Sequence, residues 1–136
     1  MARTVDNNGI GALYGTFEIH KTGETYDLDA DNVGDAVALA GNNTVNHGAD
    51  GGQLLGRLEH VAGGLATVQI KGVVRLNIAA GKTDPALGNG LVVDGAGCVY
   101  QAPAIAEASG DPAGGNIARG TTISIDAAND LCDALL

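Results

Sequence analysis

The sequence predicts an all-β chain, a small antiparallel β-barrel or β-sandwich with an extended N-terminal arm. The first observation is the run "ATVQIKGVVRLNI" at residues 66–78, where every even position is apolar or Gly. Thr67, Gln69, Lys71, Arg75 and Asn77 occupy the odd positions with Val73 as the exception, which is the period of a strand with one buried face. The second is that no segment of ten or more residues carries an i, i+3, i+4 apolar stripe free of Gly. The third is the 22 glycines, which divide the chain into short alternating runs separated by turns. A sheet with one apolar face must bury it against another sheet or against itself, so seven to nine such strands imply a barrel or sandwich.

Taken in order, residues 1–15 lack apolar periodicity and read as a flexible arm, with residues 16–136 as a single β-rich domain. "TFEIHKTGETYDLDA" offers Phe17 and Ile19, a turn at Thr22 and Gly23, then Tyr26, Leu28 and Ala30 facing one way and Asp27, Asp29 and Asp31 the other. "GDAVALAG" sets Val37 and Leu39 in phase, and "QLLGRLEHVAGGLATVQIKG" reads as a hairpin turning at Gly63 and Gly64. At about 3.3 Å per residue the run from 66 to 78 would span roughly 43 Å, far longer than the usual strand. A corner at Gly72 resolves this, with "ATVQIK" in one sheet and "VVRLNI" in the next. A single helical turn is expected near Pro85 to Leu87, and "PAIAEAS" at 103–109 is left as helix or loop. "LVVDGAGCVY" is a second hairpin turning at Asp94 to Gly97, and "ASGDPAGGNIARG" at 108–120 is a loop. The terminal "TTISIDAANDLCDALL" gives one strand with Ile123 and Ile125 inward, a polar turn, and a last strand carrying Cys132, Ala134 and Leu136.

Composition limits the function. The core has to be built from Val, Leu, Ile and Ala, because the chain has no Trp, one Phe and three Tyr. A net charge of -9 repels phosphate backbones and anionic lipid, so neither nucleic acid nor a membrane is an expected partner. The N-terminus has no basic start leading into an apolar run, and no apolar stretch is long enough to span a bilayer, so the chain is expected to remain where it is made or to leave by assembly. Cys98 and Cys132 have no second Cys or His at metal-ligand spacing and read as buried thiols.

Nucleophilic catalysis needs a Ser, Thr or Cys beside an oriented base. Ser109 and Ser124 lie in no such context, and His20, His47 and His60 share no element, so no catalytic residue, metal site or cofactor is assigned. Asp27, Asp29 and Asp31 have the spacing that opens a calcium loop, but Asn32 stands where Gly is needed and Ala38 where Glu is needed. "TYDLDA" also looks like the first motif of the trimeric dUTPases, whose Tyr-Asp-Leu stretch helps coordinate a nucleotide's magnesium. The chain departs from that family at "LLGRLE", in the spacing of Tyr100 after Asp94, and in its C-terminus.

A broader likeness covers residues 35–136. "GNNTVNHGADGGQLLGRLEHVAGGLATVQIKGVVRL", then "LGNGLVVDGAGCVYQAP" and "RGTTISIDAANDLCDALL", resemble the capsid decoration, or cement, proteins of tailed bacteriophages in texture and order. The resemblance implies a structural, non-enzymatic protein of the virion, commonly a homotrimer. It would sit on the outer surface of an expanded head and clamp neighbouring copies of the major capsid protein, with Ile10, Leu13, Tyr14 and Phe17 as anchors of a capsid-binding arm. The alternatives weighed beside it are a carbohydrate-binding or head-fibre β module and a dUTPase-like hydrolase. With only four aromatics, three of them near the N-terminus, the chain has few rings to stack on a sugar.

Overall fold

The computed structural model describes residues 11–104 and 118–136. Twelve short strands and one 3-10 turn make up the regular structure of these residues. Five strands close into a barrel: β1 (Leu13–Ile19), β4 (Ala36–Gly41), β5 (Thr44–Asn46), β6 (Gly56–Ala62) and β7 (Leu65–Lys71), in the order β1-β5-β4-β6-β7. Between β1 and β4 lie a small hairpin, β2 (Lys21–Thr22) and β3 (Thr25–Tyr26), and the 3-10 turn at Ala30–Asn32. The rest of the chain forms a three-stranded sheet in the order β11-β12-β8 and a two-stranded one. These use β8 (Val73–Asn77), β9 (Leu91–Val93), β10 (Val99–Gln101), β11 (Thr121–Asp126) and β12 (Leu131–Leu135).

The packing explains why so few large side chains suffice. The barrel interior holds Ile19, Leu28, Val37, Val45, Leu58 and Val68, among others, with Phe17 and Ile70 packed against them. A second cluster joins the outside of β4 to the other sheets through Leu54, Leu76, Leu91, Val93, Val99 and Cys132. Strand β4 serves both: Val37 points into the barrel while Ala36 and Ala38 face the second cluster. Small side chains on that outer face let the second layer approach closely, which is how an aliphatic core reaches native density.

The corner at residue 72 is as expected. The alternating run breaks at Gly72 between β7 of the barrel and β8 of the second sheet, and Gly72 takes a φ of 95°. That conformation is open to Gly and strained for side chains with a Cβ. Gln69, read from the sequence as part of a solvated face, is 4% exposed, and its side-chain amide donates to the carbonyls of Lys71 and Val73, both at 3.0 Å. One buried amide thus braces the chain on both sides of the bend. The Gly63–Gly64 hairpin also forms, with φ of 59° and 79° at the two glycines, the pair of positive values that a type I′ turn needs.

Several expectations are corrected. The barrel is not wholly antiparallel, because β1 and β5 pair in parallel through Glu18↔Thr44 and Ile19↔Val45. The intervening hairpin, 3-10 turn and β4 supply the long crossover that a parallel pair requires. Strand β1 begins at Leu13, so the last three residues assigned to the arm belong to the barrel, where Leu13 pairs with Lys71 and Gly15 with Val68. The extended reading of 26–31 stops at Tyr26: the Asp29 side chain accepts from the Asp31 amide and Asn32 answers with a bond from the Asp29 amide, a capping box that winds the 3-10 turn. No helix forms at Pro85–Leu87, and the helical turn sits at Ala30–Asn32 instead. Leu39 does not follow Val37 inward but is 58% exposed, past the two-sided part of β4 and next to a register shift. In β11 a register shift between Thr122 and Ser124 buries Thr122 and leaves Ile125 at the surface, while Cys132 and Ala134 are buried as predicted. Most of the 103–109 and 108–120 segments lie outside the described residues.

Candidate contact surfaces and polar clusters

The residues expected in the arm separate by burial. Ile10 lies outside the described residues. Leu13 and Tyr14 open β1 at the barrel rim, half exposed, beside Lys71 and Gln69 of β7. Phe17, three residues on, packs against the barrel core and acts as part of the body. β1 is held by β7 along its length and by β5 at its end, so Leu13 and Tyr14 project from a strand that the barrel fixes.

The acidic segment splits into separate local tasks. Asp27 gathers three donors: Thr22 Oγ1 at 2.7 Å, Asn46 Nδ2 at 3.1 Å and His20 Nδ1 at 2.7 Å. Bonding from Thr22 first, then from Asn46 and His20, holds its carboxyl well below the usual range, down to about 2. Asp29 caps the 3-10 turn, and Asp35 accepts from His47 Nε2 at 2.9 Å and from Asn32 Nδ2 at 3.3 Å. Among the described residues no three His, Cys, Asp or Glu side chains converge as a metal site.

Asp27 therefore ties the β2–β3 hairpin to β5, and its ionised form is preferred by the fold. Its depressed pKa contributes stability that is complete above the unfolded value of 3.8 and lost as pH falls through about 2. We expect Asp27→Asn to remove about 2 kcal/mol of this acid-dependent stability. In urea unfolding at pH 7, 4 and 2, the gap between wild type and variant should shrink toward the lowest pH. A constant gap would show that the carboxylate charge plays no part.

Other groups singled out in the sequence also have structural duties. Asp94 accepts from the amides of Ala96 and Cys98 and so closes the β9–β10 turn, while the Tyr100 hydroxyl donates to Asp50 at 2.9 Å. Lys82 reaches the same Asp50 at 2.7 Å and lies over the Tyr100 ring. Both cysteines are free thiols, and burial pushes Cys132 up to about 11 and Cys98 upward in the same direction. His60 is exposed and Ser124 sits half-buried within β11.

Arg75 and Asp133 were not paired by sequence reasoning, because they lie far apart along the chain. They face each other across β8 and β12 in a bidentate pair at 2.9 and 3.1 Å. Arg119 was also missed. Its backbone forms a two-bond bridge with Leu91, and its guanidinium reaches the carbonyls of Leu54, Leu55 and Ile70. It stands at one wall of an open cleft of about 550 Å³ that includes Ala38, Leu39, Gly52 and Leu55. No polar sequence signal marks that cleft, since its walls come from four separate segments.

Compared with known proteins, the chain matches no family model and no curated protein.

Proposed function

We infer that the chain is a structural virion protein, a capsid cement that binds the outside of an expanded phage head and stabilises contacts between major capsid protein subunits. The reading carries no catalytic residue and no cofactor. Its basis is the resemblance of residues 35–136 to decoration proteins. The structural observation that lends it most support is the pair Leu13 and Tyr14, half exposed on a strand whose backbone is locked into a closed barrel. Apolar anchors on a rigid support lose little freedom when a partner covers them, which is what a lasting protein contact requires. The acidic surface would keep free subunits soluble before assembly, and a homotrimer is the oligomer the resemblance implies.

The test uses two variants and purified expanded heads. A chain lacking residues 2–10 keeps every strand described above, and Leu13→Ser with Tyr14→Ser removes the exposed anchors while sparing Phe17. Both should remain folded by circular dichroism and lose at least about tenfold in head binding measured by co-sedimentation. Binding equal to that of the full chain in both variants would overturn the arm, and failure of the intact chain to bind any head would overturn the cement reading.

A further inference from the structure

The cleft at Arg119 has a charge pattern that sets it apart from the rest of the molecule. Among the described residues that line it, Arg119 alone is charged, on a chain whose net charge is -9. The other lining residues are uncharged: Ala38, Leu39, Leu55 and Ile70 are apolar, Gly48 and Gly52 are small, and Gln53 is polar but neutral. Arg57 and Arg75 each pair with a carboxylate, Glu59 and Asp133, whereas among the described residues Arg119 meets only backbone carbonyls. Nη1 serves Leu54 and Leu55 and Nη2 serves Ile70, so among the described residues Nε–H and one Nη2 hydrogen have no acceptor.

Carbonyl oxygens orient a guanidinium but do not neutralise it. A desolvated arginine with spare, fixed donors favours a carboxylate, because the two planar groups match in a bidentate pair. Across the cleft Leu39 is 58% exposed, an apolar side chain placed where a ligand's own apolar group would cover it. We propose that this cleft receives a segment of a partner protein that presents a Glu or Asp side chain next to a branched aliphatic one. The carboxylate pairs with Arg119 and the aliphatic group packs on Leu39 and Leu55. This adds a second contact to the cement reading, and because it is tested on the isolated chain either proposal can fail alone.

The experiment is an NMR titration of the intact, isotope-labelled protein with the blocked tripeptide acetyl-Leu-Glu-Leu-amide, its Gln counterpart, and sodium acetate. The Glu peptide should shift the amides of Leu39, Gly52 and Arg119, and the Gln peptide should bind at least tenfold more weakly. Leu39→Asp, which places a like charge on the far wall without touching the core, should abolish the response. Leu87→Asp, an exposed position away from the cleft, should leave it intact. Arg119→Lys should keep the fold and weaken binding, since an ammonium lacks the planar fork. Equal binding of the Glu and Gln peptides, shifts confined to other parts of the molecule, or no shifts at all would overturn the proposal. Acetate acting as strongly as the peptide would overturn it too, because the ligand would then be a small carboxylate and not a protein segment.

Discussion

Gly56→Ala is expected to lower the melting temperature by about 10 °C, the equivalent of about 3 kcal/mol for a domain of this length. Gly56 begins β6 and is buried, and a Cβ there would lie 2.9 Å from the Gln69 carbonyl carbon and 3.0 Å from Val68 Cγ1, with the carbonyl oxygen closer still. Backbone cannot swing aside as a flexible side chain can. Relief would require β6 to move off β7, and β6 is joined to β4 by only the pairs Ala36↔Arg57 and Val37↔Gly56. The same shift would disturb Gln69, whose amide braces the Gly72 corner. Thermal unfolding followed by circular dichroism measures the loss, and a variant within about 2 °C of wild type would mean that the strands separate more easily than this packing allows.

The second large effect is at the corner itself. Gly72→Val should cost about 3 kcal/mol, because a β-branched residue at a φ of 95° is strained whatever space surrounds it. Gly72 is buried and its carbonyl accepts from the Leu136 amide at 2.9 Å, so a local twist of the backbone would also pull on the end of the chain that β12 anchors. Thr67→Val, on the same run but at a half-buried position in regular β7, should change stability by no more than about 0.5 kcal/mol. Chemical denaturation of the two variants side by side gives the comparison, and equal midpoints would remove the idea of a corner that depends on Gly.

The two effects show which parts of the fold can be read from a sequence. Gly72 was legible because its neighbours announce it: a strict period of two extends too far for one strand, and a Gly stands at the midpoint of the buried face. The Gly63–Gly64 hairpin was legible for the same local reason. Gly56 was not, since its importance comes from a strand paired beside it, and nothing within "LLGRLE" records how close that backbone comes. Leu39 and Ile125 misled because a register shift lies near each, and a slip of one residue sends a side chain to the opposite face. The β1–β5 parallel pair was hidden because alternation reports burial and not strand direction. Of the site, Tyr14 and Leu13 could be picked out as apolar residues in a weakly patterned stretch, whereas the Arg119 cleft needs four distant segments to meet.

The central claim, that this chain is a capsid cement, is tested most directly by its copy number relative to the major capsid protein in purified phage particles, measured by quantitative mass spectrometry. A protein that follows the capsid lattice should be present at about one copy per capsid subunit, as lattice symmetry demands. A handful of copies per particle, or none, would contradict the account.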